Sequence, residues 1–272
     1  MEDEMNKLVY FNEKNEQIVF RENVAEEDIN KFLAAKDNFV QVMNSIDFYN
    51  IVKDNIVELM QAIINYDFRQ EKAFATINRY FFNMVSSFYC YVKYYERFYH
   101  DRYKRVFSEQ FDKYDTYKII SELRKYTTHC FMAITQSSFD IMTGKYSIQI
   151  IPNDLLEKDK GMLRKDVKDI LKRQIEKGEV IDLRLLTGDF LNIFCELQIK
   201  IMNEMKEDIF EDLKTIEDFI YGKNLNKKES YILKEDGAVI NTSNILFLFL
   251  KKFQEEYTAS NAVEILKEMH EG

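Results

Sequence analysis

The sequence predicts a mainly α-helical fold: an aromatic-rich helical bundle with short β-hairpins near the N-terminus, at about 132–151 and at about 229–242. Three observations predict it. The 272 residues include only 1 Pro and 7 Gly, and so few breakers favour long uninterrupted helices over many-stranded sheets. Hydrophobic residues make up 46% and charged residues 31%, the balance of a folded chain rather than a disordered one. The 22 Phe and 17 Tyr, with no Trp, supply large apolar surfaces that must be kept from water, so most of them belong to a core.

The elements follow in order. Residues 6–20 place two apolar runs around a polar Asn-Glu-Lys-Asn-Glu-Gln centre, the pattern of a hairpin. A helix is expected from about 23 to 44, with Glu26, Glu27 and Asp28 at its positive end. A second follows from about 46 to 65. The third, about 71–101, is apolar over more than half its circumference and is therefore central. On its remaining side Arg79, Asn83, Ser86, Cys90 and Arg97 form a narrow polar stripe, which either faces solvent or lines a polar site. The stretch 95–107 then interleaves Arg97, Arg102, Lys104 and Arg105 with aromatic rings. Cations suit phosphates and ring faces suit bases, so this is the candidate RNA contact. The same cations also suit the negative end of a helix.

A fourth helix is predicted over about 115–130, with Ile119, Leu123, Tyr126 and Cys130 on its core face. Thr143-Gly144-Lys145 turns a second hairpin, which Pro152 ends. Residues 154–177 predict one charged helix and 182–221 another, with Gly188 as a place for a kink. An Asp-Gly turn within 229–242 predicts the third hairpin. Thr242 or Ser243 then caps a last helix, followed by a short one in the tail. Composition becomes more charged after about residue 153. The expected division is an N-terminal hairpin and helical core over 1–152 and a mainly helical region over 153–272.

The net charge of −9 and pI of about 5.1 give no global field toward nucleic acid, so RNA must be met by a local basic patch. Cys90, Cys130 and Cys195 are in no metal-ligand spacing and read as reduced thiols of a cytoplasmic protein. The N-terminus lacks the apolar core of a secretory signal. The longest apolar run near the C-terminus, Ile245 to Leu250, is too short to span a bilayer, so no membrane partner is expected. The sequence holds no H-E-x-x-H, Walker A, G-x-S-x-G or G-x-G-x-x-G motif.

One segment carries chemistry. In residues 121–139, Arg124 and His129 are separated by Lys125-Tyr126-Thr127-Thr128. A histidine moves protons near neutral pH. An arginine holds a phosphate with a rigid fork and stabilises charge that grows during transfer. The spacing resembles the R-x4–6-H motif of HEPN ribonucleases, small all-α proteins of toxin–antitoxin and antiviral systems. The hydrophobic helix leading into L-R-x-Y-x-x-H, and the upstream helix with Asn78-Arg79 and Asn83, extend the resemblance over about 70–132.

The resemblance implies a metal-independent RNA endonuclease needing no cofactor. In that family the RNA's own 2′-hydroxyl attacks the adjacent phosphate and leaves a cyclic phosphate. It implies His129 as general base or acid, Arg124 as electrostatic clamp, and Asn83 and Arg79 as their supports. The sequence departs from the family at Lys125, where a small polar residue or His usually follows the Arg. Five positions along an ideal helix separate two side chains by about 140°. HEPN proteins meet this by dimerising, so a homodimer or a protein partner such as an antitoxin is expected. Two other readings stand beside this one: a non-catalytic helical interaction subunit of a defence complex, and a small-molecule or peptide sensor with the aromatic third helix as a pocket wall.

Overall fold

A computed structural model describes residues 6–11, 18–67, 69, 72–99, 103–129, 132–142, 145–222, 230–233 and 239–241. The fold is mainly α. The helices among these residues are α1 (Glu26–Ile64), α2 (Ala73–Phe98), α3 (Lys104–Lys113), α4 (Asp115–His129), α5 (Pro152–Lys158), α6 (Lys165–Glu176) and α7 (Leu183–Gly222). The strands are β1 (Asn6–Phe11), β2 (Ile18–Val24), β3 (Gln136–Asp140), β4 (Lys145–Ile150), β5 (Ile181–Asp182), β6 (Ser230–Leu233) and β7 (Val239–Asn241). All three expected hairpins form. No described helix is long and apolar enough to cross a membrane.

The chain divides into two compact units, residues 1–44 with 206–272, and residues 45–205. The boundary expected near 153 falls inside the second. The first unit holds an antiparallel sheet of order β2-β1-β6-β7, with a register shift between Leu8 and Val9. Its apolar residues follow helical spacing along α1, with Ile29, Phe32, Ala35, Phe39 and Val42 buried. Phe32 stacks on Phe219 of α7 at 4.5 Å between centroids. The helix and tail expected after residue 242 lie outside the described residues.

The second unit is built on rings. Phe88 of α2 meets Tyr117 of α4 edge-on at 5.4 Å, and Phe190 and Phe194 of α7 at 5.0 and 5.9 Å. Tyr91 packs on Tyr95 and on Phe194, each at 5.0 Å, and its hydroxyl donates to Gln198 Oε1 at 2.7 Å. Burial pushes the Tyr91 and Tyr117 hydroxyls well above the usual phenol range, so they remain neutral donors. Gln110 of α3 is also wholly buried, but neither Oε1 nor Nε2 has a hydrogen-bond partner. An unmatched buried amide costs about 1–3 kcal/mol. Gln110→Leu is therefore expected to raise the unfolding free energy by about 1 kcal/mol, read as a higher urea midpoint at unchanged slope.

Four elements differ from the sequence expectation, each for a local reason. The two helices expected over 23–44 and 46–65 are one, α1, because no Gly or Pro falls between them and Ser45 is buried in mid-helix. The cationic stretch 95–107 is not a single helix end: it spans the end of α2 and the start of the separate α3. The charged helix expected over 154–177 breaks into α5 and α6. At the break Gly161 takes φ +84°, a conformation glycine adopts without strain. There Asp159 Oδ1 accepts the N–H groups of Met162 and Leu163 at 2.8 and 3.1 Å. Finally, β5 adds a third strand to β3-β4 just before α7. Asp182 serves both elements: Oδ2 accepts from Ser147 at 2.7 Å, while Oδ1 caps α7 through the N–H groups of Arg184 and Leu185. Helix α7 runs through Gly188 without interruption.

Candidate functional site

Helix α4 carries the motif. Tyr117, Ile120, Leu123 and Tyr126 recur at helical spacing and are buried, which fixes the rotation of the helix and sends Arg124, Lys125 and His129 to its outer sides. Ile119 is buried as expected, while Cys130 lies outside the described residues.

Arg124 is half-buried, and its guanidinium carbon lies 3.6 Å from the centre of the Tyr89 ring on α2. At this distance the guanidinium packs against the ring as a cation–π contact. It also fixes the orientation of a long side chain that otherwise samples many rotamers. Lys93, one turn along α2, lies 5.6 Å from the same ring and pairs with Glu96. A half-buried tyrosine therefore sits among cations at this place.

His129 is the last residue of α4 and is exposed. The helix is unbroken from Arg124 to His129, so the ideal-helix separation of about 140° and 7–8 Å along the axis applies. Within one chain the two side chains leave the helix in different directions. Lys125, which departs from the family pattern, has a partner of its own. Its Nζ is 3.0 Å from Oε1 of the buried Glu122, whose Oε2 accepts the backbone N–H of Arg164 at 3.3 Å. This lysine serves the junction between α4 and α6.

Asn83 and Arg79 are exposed on α2, and Arg79 lies over the Tyr80 ring at 5.0 Å. The polar stripe is thus accessible, with Cys90 and Arg97 also exposed and Ser86 half-buried. Among the cations of 95–107, Arg97 lies over Phe98 at 5.5 Å. Arg105 is taken up by Glu109 and Glu204 at 3.5 and 3.3 Å, Lys104 is exposed, and Arg102 lies outside the described residues. The stretch spans the end of α2 at Phe98 and the start of α3 at Lys104.

Two features were not found by sequence reasoning. One is the Tyr89 platform, which lies 35 positions before Arg124 and becomes its neighbour only through helix packing. The other is Asn78, read as a polar residue near the motif, which proves nearly buried and bridges α2 to Ile134. Comparison with protein-family models, with curated proteins and with solved structures finds no match to this chain.

Proposed function

We propose that this chain is a metal-independent RNA endonuclease of the HEPN type that works as a pair of copies, in bacterial antiviral defence or a toxin–antitoxin system. The observation that carries the reading is the Arg124–Tyr89 stack beside an exposed His129 on the same helix. The stack holds a cationic fork in one orientation, and the imidazole is open to solvent. The splay between them is met by a second copy, whose His129 faces the first copy's Arg124 across a two-fold axis.

The chemistry follows from the two groups. His129 takes the proton of the RNA 2′-hydroxyl, and that oxygen forms a bond to the adjacent phosphorus. The bond from phosphorus to the 5′-oxygen breaks, leaving a 2′,3′-cyclic phosphate, and the 5′-oxygen takes up the proton that the His129 imidazolium gives back, becoming a 5′-hydroxyl. Arg124 donates to the non-bridging oxygens as their charge grows. Arg79 and Asn83 flank the strand from α2. The test is cleavage of a mixed RNA by wild type and by Arg124→Ala and His129→Ala, with end-group analysis for the cyclic phosphate.

Lys125 has no part in this chemistry. Lys125→Asn, which restores the family's usual residue type, is expected to lower the unfolding free energy by about 1 kcal/mol, because Glu122 is left buried without its cation. Cleavage should be unaffected. A chemical melt and a cleavage assay on the same preparation check both parts.

A second reading, a non-catalytic interaction subunit of a defence complex, is favoured by a different observation. The tip of the β3-β4 hairpin exposes Phe139, Ile141 and Met142, the last two 85% and 93% accessible, and apolar tips of this kind mark contact surfaces. Identical behaviour of wild type and both motif variants in RNA cleavage and in cells favours that subunit over the nuclease.

A further inference from the structure

Strand β3 is the edge of its sheet, whose order is β3-β4-β5, and among the described residues no other strand pairs with it. Folded proteins blunt such edges with Pro, Lys, a bulge or a covering element, because unused backbone groups invite another strand. β3 has none of the first three. Its sequence is Gln-Ser-Ser-Phe-Asp, and it pairs with β4 residue for residue from Gln136 to Asp140. Gln136, Ser137, Ser138 and Phe139 are all exposed, so both faces of the strand are open. One face is aromatic: Phe139 packs on Tyr146 of β4 at 4.7 Å, and Tyr146 on Tyr66 at 5.6 Å.

Two further features flank this strand. Past its C-terminal end the hairpin tip carries Ile141 and Met142, 85% and 93% accessible. Just before its N-terminal end, the segment Met132–Thr135 and the first three turns of α2 enclose a cavity of about 860 Å³. The lining is mostly apolar, with Phe74, Phe82, Met132 and Ile134 among its residues. Phe82 and Met132 are 38% and 53% accessible, so the cavity opens to solvent through apolar groups. An apolar tip and an apolar cavity are complementary, and hiding both from water is favourable. Within one chain they lie at opposite ends of the same strand, and the tip stays exposed.

We propose that β3 pairs antiparallel with β3 of a second copy across a two-fold axis at Ser138, and that the hairpin tip of each copy enters the other's cavity. Narrow and wide pairs alternate along an antiparallel ladder, so a two-fold axis must pass through a residue paired with itself. Ser138 is the middle of the strand, and centring there pairs all 5 residues. The register follows by counting. Phe139 stands opposite the partner's Ser137, a small residue that leaves room for the ring. Asp140, the only charged residue of β3, stands opposite the partner's Gln136 and not opposite itself, which matters between two chains of net charge −9. Ile141 and Met142 fall beside the partner's Thr135 and Ile134, which line the cavity. One symmetry operation thus covers the edge, the tip and the cavity together, whereas a strand of an unrelated protein accounts for the edge alone. The pairing rests on neither Arg124 nor His129.

The experiment is sedimentation velocity of the full chain without RNA, over a range of loading concentrations. The samples are wild type, Ser138→Lys, Ser138→Glu, Met142→Asp and an equimolar mixture of the two Ser138 variants. Wild type is expected to associate reversibly. Either Ser138 variant alone sets like charges against each other at the axis and should weaken association about tenfold or more. Their mixture sets Lys against Glu and should associate at least as tightly as wild type. Met142→Asp carries a charge into the partner's apolar cavity and should also weaken association about tenfold or more. Ser138 and Met142 are exposed, so each variant should melt within a few degrees of wild type. A wild type that stays monomeric at every concentration overturns the proposal and leaves the edge to a strand of another protein. Wild-type association in the single Ser138 variants, or none restored in their mixture, overturns it as well, since only a self-paired residue answers to charge in this way. Wild-type association of Met142→Asp overturns the docking of the tip. A chain that cleaves RNA while its Ser138 variants associate as wild type does keeps the nuclease reading and loses this pairing.

Discussion

Replacing either Arg124 or His129 by alanine is expected to lower RNA cleavage by about a hundredfold or more without loss of the helical fold. Neither side chain is needed by the core. His129 is exposed at the end of α4, and Arg124 is half-buried on the surface of Tyr89. The large loss comes from the separate tasks of the two groups. In the proposed mechanism the imidazole takes the 2′-proton and the guanidinium opposes the growing phosphate charge, so each loss removes a separate contribution. Arg124→Lys should not restore activity, because an ammonium neither stacks flat on Tyr89 nor offers a two-pronged donor edge. Cleavage rates under single-turnover conditions, with far-UV circular dichroism as the folding control, check all three variants. Wild-type rates in either alanine variant would remove that residue from the chemistry.

Phe88→Ala is expected to destabilise the chain by about 3–5 kcal/mol, the largest effect of any single substitution considered for the fold. Phe88 is 2% accessible and, besides Tyr91 on its own helix, meets three rings on other helices, Tyr117, Phe190 and Phe194, two of them on α7. Truncation leaves a cavity whose walls are held by separate helices and cannot close over it. Phe98→Ala serves as the contrast. Its ring is 41% accessible and lies at the end of α2, so its removal should cost under about 1 kcal/mol. Urea denaturation of both variants reads the difference directly.

Periodicity made most of the fold legible in the sequence. The spacing of Phe81, Phe88 and Tyr95 marks α2 as central, and all three are buried. The sequence signals Thr143-Gly144-Lys145 and Asp-Gly near residue 237 anticipate the pairing of β3 with β4 and of β6 with β7, although Lys145 already belongs to β4. What periodicity missed depends on tertiary neighbours. Strand β5 is two residues long and exists only because β4 lies beside it. The break between α5 and α6 rests on Gly161 and on the Asp159 carboxylate folding back onto its own backbone, a local alternative that a helical charge pattern hides. At the candidate site, the sequence supplied Arg124, His129, Arg79 and Asn83. It could not supply Tyr89, because a cation–ring pair across two helices leaves no mark in local spacing. It also could not tell that Lys125 serves Glu122, since an i,i+3 pair looks the same whether its acid is exposed or buried.

The reading of this chain as a nuclease depends on an Arg124 and a His129 from different copies acting on one phosphodiester. The direct measurement is to coexpress Arg124→Ala and His129→Ala chains and assay the mixed dimers. Each mixed dimer keeps one intact pair of the two, and random pairing makes about half the dimers mixed, so about a quarter of wild-type cleavage should return. Cleavage no greater than that of either variant alone, in mixtures shown to contain the mixed dimer, would contradict a shared site.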